Sequence, residues 1–261
     1  PLAKSVESKV WVGAAEWGNN TIGISNTVPP PWKPIIVKGR QVEISERTYL
    51  VGNSGLPQAI TSLGKKVLSQ GTKIVIETTQ GNENCRFLAL QQLSASATEA
   101  IWEIQGQSKN FKIQGRLRIE YDGLAFWDVD FIPKHDVSIK NIFMEFILPH
   151  QRSLYARGKT IGASASGYAA VLNDNGKPKA QTGAGQTIFC PNGWPWNDRF
   201  FYQFFIGDDN SGLSLMNESA QYHRGTPHIN VSSSNTTKVV RVYLTSNHEV
   251  KRGQPLHYTY G

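Results

Sequence analysis

Sulfur is scarce in this chain: 261 residues hold two cysteines and two methionines. Cys85 and Cys190 lie far apart, and neither has a CxxC or histidine-rich neighbour, which argues against a zinc site. The two can pair in an oxidising compartment or stay as buried thiols; the second reading is preferred. Long apolar runs are also missing. None approaches the ~20 residues a spanning helix needs, so no membrane span is expected. The opening stretch PLAKSVESKV has no apolar core of signal-peptide type. The chain opens on Pro1 rather than Met, which is read as trimming, and a secreted, periplasmic or cell-surface location is expected. Clustered charge is absent too. The net charge is +7, yet no basic run exceeds two residues, Lys65-Lys66 and Lys251-Arg252 being the longest. That excludes a nucleic-acid tail, and no nucleic-acid partner is expected. Dispersed positive charge serves solubility or draws a polyanion, and an anionic polysaccharide fits it as well as anything. The six histidines show no HxH or HExxH spacing. No metal or cofactor is expected.

What the chain does have is turn residues and short apolar strands. It holds 24 Gly and 13 Pro with 39% hydrophobic residues, the composition of a β protein with many turns. Pro29-Pro30-Pro31 reads as a stiff extended connector. Gln41 to Val51 alternates and reads as one strand with a wet face. In residues 56 to 68, Pro57 and Gly64 favour short strands around a bend over a helix. Lys73 to Thr79 is β-branched. Val137 to Leu148 is a strand closed by Pro149, Lys238 to Thr245 is another, and a short one lies within Val250 to Gly261. Residues 158 to 187 are small and polar, a surface excursion or a pair of weak edge strands. A dozen or more short strands at this spacing predict an all-β fold, a large antiparallel β-sandwich of two packed sheets.

One hairpin can be read in detail. In GRLRIEYDGLAFWDVDF, residues 115 to 131, a loop Asp122-Gly123-Leu124 sets Ile119 against Trp127 and Leu117 against Val129. Arg118 then faces Asp128, and Arg116 faces Asp130. A two-residue loop would put Leu117 against Asp128. Opposed residues share a face, so the three-residue loop is expected.

Cys190 to Arg224 is the stretch richest in binding chemistry. Trp194-Pro195-Trp196 sits between Gly193 and Asn197, a loop with two indoles. An exposed indole stacks on the C–H face of a pyranose while hydroxyls reach polar neighbours. Asp198, Arg199, Glu218, Tyr222, His223 and Arg224 are the candidate neighbours. Equally weighted is the reading that one or both Trp plug the end of the sandwich, since Trp is usually mostly buried. Trp17 and Trp32 form a second set in which packing is favoured. Phe200 to Ile206, then Gly207 to Gly212, then Leu213 to Met216 is a hairpin. Asp208, Asp209 and Glu218 invite an acid/base reading, because glycosidases use paired carboxylates. Asp208 and Asp209 at a tight turn are better read as capping their own backbone. A calcium site there lacks EF-hand spacing. Tyr222, His223, Arg224 and His228 form the set a lyase would use.

Several of these pieces occur in a known order: VPPPWKP, ERTY, GLPQAITSLGKKVL, EYDGL followed by DVDFIP, IFMEFILP, and FFIGDDNSGLSLMNES. In that order they resemble the N-terminal β-sandwich domain of glycoside hydrolase family 123 and related proteins. The resemblance covers nearly the whole chain, and the closing LHYTYG resembles the strand that hands over to a catalytic barrel. It implies one β-sandwich domain over residues 1–261, an accessory part of a longer chain, with no catalytic residue of its own. Asp208, Asp209, Gly212, Glu218 and Ser219 are carried over as structural or interdomain residues. The implied function is binding of an anionic or amino-sugar polysaccharide in a secreted polysaccharide-degrading protein. The alternatives are a glycoside hydrolase or lyase in its own right, and a domain that only braces a catalytic one.

Overall fold

The structure, a computed structural model, describes residues 26–160, 168–172, 178–179, 201–217 and 228–261. The chain first runs through β1 (Ile36–Lys38), β2 (Gln41–Ile44), β3 (Arg47–Val51), β4 (Pro57–Ser62) and β5 (Lys65–Lys66). Then come β6 (Gln70–Thr78), β7 (Gly81–Asn84), β8 (Arg86–Ala95), β9 (Glu99–Gln107), β10 (Phe111–Glu120) and β11 (Ala125–Pro133). The long β12 (Val137–Pro149) follows, then one 3-10 turn at His150–Arg152, β13 (Tyr155–Thr160), β14 (Tyr168–Leu172) and β15 (Pro178–Lys179). The chain closes with β16 (Phe201–Gly207), β17 (Gly212–Met216), β18 (Ile229–Ser233), β19 (Thr237–Val250) and β20 (Leu256–Tyr260).

These strands form four five-stranded antiparallel sheets among the described residues. The orders are β1-β2-β3-β4-β5, β18-β19-β12-β6-β7, β20-β11-β10-β9-β8 and β15-β14-β13-β16-β17. Backbone bonds at the sheet margins join them pairwise. Met216 and Gly261 exchange N–H···O bonds of 2.6 and 2.9 Å, which sets β17 beside β20. On the other layer the chain itself passes from one sheet to the next: Val67 N–H reaches Ile60 O at 2.8 Å beside β4, and two residues on Ser69 N–H reaches Ile147 O at 2.7 Å beside β12. The result is the all-β, two-layer sandwich that the alternation implies. Inward residues of both layers make one continuous core. Phe131 stands edge-on to Phe111, Trp127 and Tyr258, with ring centroids 5.8 to 6.4 Å apart.

Three local expectations are corrected. Gln41 to Val51 is a hairpin and not one strand: Ile44 pairs with Arg47, and Ser45 takes φ 49° between them. The inward parity slips there, from Val42 and Ile44 to Val51, which is what a two-residue turn does to a period-2 pattern. Residues 29–31 are no extended connector, because Trp32 N–H bonds back to Pro29 O at 3.0 Å and closes a turn. The β10–β11 hairpin keeps the expected faces but shifts register by two. Ile119 pairs with Ala125, Leu117 with Trp127 and Arg116 with Asp128, so the loop is Tyr121-Asp122-Gly123. Asp122 Oδ1 accepts the Leu124 N–H at 2.9 Å, Gly123 sits at φ 92°, and Tyr49 Oη donates to Gly123 O at 3.0 Å. An even shift leaves every face unchanged, so face matching cannot separate the two registers. Arg118 now lies over the Phe126 ring at 4.6 Å and pairs with Glu120 at 3.2 Å.

One buried carboxylate ties the layers together. Glu83 on β7 accepts from Ser108 Oγ at 2.7 Å and from Asn110 N–H at 2.9 Å, and Asn110 Nδ2 donates to its other oxygen. These residues are the turn between β9 and β10, in the opposite layer. Beside it, burial and the Glu83 charge push the Cys85 thiol up to about 12, so this free cysteine stays a thiol at neutral pH. Glu83→Ala strands buried donors on the turn and is expected to cost about 2–4 kcal/mol, read as a lowered urea midpoint; a midpoint matching wild type would show the clamp to be dispensable.

Candidate functional site

The eight residues singled out from the sequence, Trp194, Trp196, Asp198, Arg199, Glu218, Tyr222, His223 and Arg224, all lie outside the described residues, as do Cys190 and Trp17. Their anchor points are described. The hairpin β16–β17 forms as expected, with Gly207 opposite Gly212. The segment holding the Trp loop ends at Phe201, and the segment holding Glu218 to Arg224 runs from Asn217 to His228. Those three residues meet. Phe201 N–H donates to His228 Nδ1 at 3.0 Å, Asn217 Nδ2 donates to Phe201 O at 2.9 Å, and Asn217 Nδ2 lies 3.0 Å from His228 Nε2. His228 is wholly buried. Its Nδ1 is thus engaged as a buried acceptor for the backbone, a structural role.

The turn of this hairpin is self-contained. Asp208 Oδ1 accepts the N–H groups of Asn210 and Ser211, each at 2.8 Å. Desolvation pushes the Asp208 carboxyl up, but those two N–H bonds and the Arg152 guanidinium, 3.7 Å away, outweigh it and hold the pKa below the usual aspartate value. This is the capping role expected for Asp208, and it leaves the carboxylate poorly placed for acid/base or calcium chemistry. No group of three or more His, Cys, Asp or Glu that could hold a metal occurs among the described residues. A Cβ on Gly212 would sit 2.5 Å from the Phe205 ring and 2.6 Å from Ile206 O, which explains the glycine in this motif without invoking a ligand.

Among the hollows open to solvent in the described residues, two bear on function. One, of about 560 Å³, lies between the layers. Its walls are Leu117, Ile119, Trp127 and Met144, and its mouth is formed by Arg47, Tyr49, Asp122 and Met216. The other, of about 670 Å³, is a groove on the outer face of the β20-β11-β10-β9-β8 sheet. Register sets Gln105, Gln114, Asp130 and His257 in one row, and Glu103, Arg116, Asp128 and Thr259 in the next. His257 Nδ1–H donates to Asp130 at 2.8 Å and lies 3.7 Å from Asp128. This corrects the expected pairing of Asp130 with Arg116 and of Asp128 with Arg118. The polar outward positions of β9, β10 and β11 were visible as alternation, but His257 arrives from the far end of the chain and has no local signal.

Over residues 35–247 the chain matches the family described as glycoside hydrolase 123, third domain. The chain belongs to that family. Its function is carbohydrate-related. The sequence resemblance named the same family and set the sandwich at its N-terminal end; the family model describes the glycoside hydrolase 123 unit matched here as the third domain. No curated protein matches the chain. Among solved structures, a candidate aldose 1-epimerase from Escherichia coli K12 is 10% identical, with a TM-score of 0.45, covering 87% of this chain and 97% of its own. A beta-arabinopyranosidase is 12% identical, with a TM-score of 0.31, covering 85% of this chain and 38% of its own. No helix among the described residues is long and apolar enough to cross a membrane.

Two outcomes follow from the hairpin. His228→Ala leaves the Phe201 N–H without its buried acceptor and is expected to cost about 2–3 kcal/mol in denaturant unfolding. Asp208→Asn keeps the turn but loses the charge. Because the Asp208 pKa is lower folded than unfolded, its contribution is present above about pH 4 and is lost as pH falls through the folded value. The gap in melting temperature between wild type and Asp208→Asn is therefore expected at neutral pH and should close on acidification; a gap that is constant with pH would rule out the charge as its source.

Proposed function

We propose that this domain is a carbohydrate-binding accessory domain of a secreted, polysaccharide-degrading glycoside hydrolase. It holds an anionic or amino-sugar polysaccharide on Trp194 and Trp196, with Asp198, Arg199, Glu218, Tyr222, His223 and Arg224 meeting hydroxyl, amide or carboxylate groups. Membership of the glycoside hydrolase 123 third-domain family carries this reading. Two further features support it. The segments holding the eight residues are rooted at one point, the Phe201–Asn217–His228 node. The net charge of +7 favours an anionic chain. A bracing role for a catalytic neighbour is the second reading, favoured by Met216, which is 44% exposed at the mouth of the interlayer cleft.

A glycan panel probed with wild type and with the Trp194→Ala/Trp196→Ala double variant tests the assignment. Binding should fall by at least about tenfold in the variant, weaken with added salt, and be accompanied by no new reducing ends or unsaturated products. An empty panel supports the brace, and released products support an enzyme.

A further inference from the structure

The groove on the outer sheet face holds hydrogen-bonding capacity that the fold leaves unused. Gln107, Lys112, Gln114 and Arg116 line it. Their neighbours Phe111, Ile113 and Leu117 turn into the core, so strand alternation aims these four outward. None of the four makes a side-chain hydrogen bond or ion pair among the described residues. Arg116 stands between Glu103 and Asp128 in register, yet pairs with neither. A cross-strand pair would add only modest stability; unpaired, the exposed Arg116 guanidinium is left to water or to a ligand. On the same sheet His257 of β20 does pair across strands with Asp130 of β11, and Arg118 pairs with Glu120 on its own strand.

The chemistry of the lining selects a ligand class. Glutamine amides carry donors and acceptors side by side, as a sugar hydroxyl does. Gln105 Nε2 already donates to Glu103 at 3.0 Å, which orients that amide. The charged lining consists of Lys112 and Arg116 against Glu103, Asp128 and Asp130, a balance that gives a polyanion no advantage. Leu88, 57% exposed at the margin, offers apolar surface to a C–H face. A row across four strands spans roughly 14 Å, more than a monosaccharide needs.

We propose that this groove binds a neutral oligosaccharide, laid across β9, β10 and β11, with Gln105, Gln114 and Arg116 holding its hydroxyls. The proposal rests on the carbohydrate reading of the domain but uses a different surface from the Trp loop, and its neutral hexose oligomers lack both the anionic and the amino-sugar groups assigned to that loop.

The test uses the whole chain against an array of neutral hexose oligomers and a parallel array of anionic and N-acetylhexosamine ones. Gln114→Ala/Arg116→Ala should weaken binding of a neutral oligomer by at least about tenfold, while Trp194→Ala/Trp196→Ala should not. That binding should change little between about 50 and about 500 mM salt. Gln105→Ala on the adjacent strand serves as the second variant should the first melt early. An array empty of neutral binders, or neutral binding that survives both groove variants, overturns the groove. In those cases anionic binding lost with the Trp pair still upholds the domain's proposed function. Neutral binding lost only with the groove residues, with nothing bound through Trp, upholds the groove and removes the Trp loop. An entirely empty pair of arrays sinks both.

Discussion

The buried carboxylate of Glu83 is the constraint on which the contact between the two layers turns. Moving an ionised carboxylate out of water is costly unless donors replace the water. Here three donors from one turn do so: the Ser108 hydroxyl and the N–H and side-chain amide of Asn110. Lys134 closes the same corner by donating to Ser108 O at 2.7 Å. The turn sets the β9–β10 register, and the register sets which side chains share a row on the outer face. A change of one residue there would turn Gln105, Gln107 and Glu103 inward and Trp102 and Ile104 outward. The groove is thus a consequence of an interaction buried on the other side of the sheet.

A second polar node serves the opposite end. His228, Asn217 and the Phe201 backbone are bonded to one another inside the sandwich, where each bond is stronger for lack of competing water and each loss more costly. The node explains why a histidine that looks catalytic in the sequence is spent on architecture. It also gives the tryptophan segment and the Glu218 segment a common root. Loops anchored on a rigid frame are where proteins usually place binding residues, and the framework of this hairpin, from the Asp208 turn to Gly212, serves only that anchoring.

The two candidate surfaces differ in physics. The tryptophan loop offers apolar faces and sits in a chain whose overall charge favours anions. The groove sets two cations against three carboxylates and is rich in amides, suited to hydroxyls and offering an anion no advantage. Between the layers, the cleft with Tyr260 on its wall is less polar than the groove. Burial raises the Tyr260 hydroxyl well above the ordinary tyrosine range, so it stays neutral and adds no charge to that space.

The sequence alone was enough to establish the β class, the hairpin from Phe201 to Met216, the bend at Gly64, the capping role of Asp208 and the family. Those features rest on alternation, turn chemistry and motif order, all of which act within a few residues. It also settled which face of β10 and β11 is buried, because a period-2 pattern records faces. Their register was decided only by the folded chain, since a shift of two leaves the pattern intact and the loop bonds of Asp122 and Gly123 choose between the options. Likewise Gln41 to Val51 became a hairpin through one left-handed serine, a conformation serine does not announce. The partner of Asp130, the acceptor for Phe201 and the donors for Glu83 all depend on residues 25 or more positions apart. No local pattern encodes such contacts, because the energy that selects them arises only when both layers close and water leaves the space between.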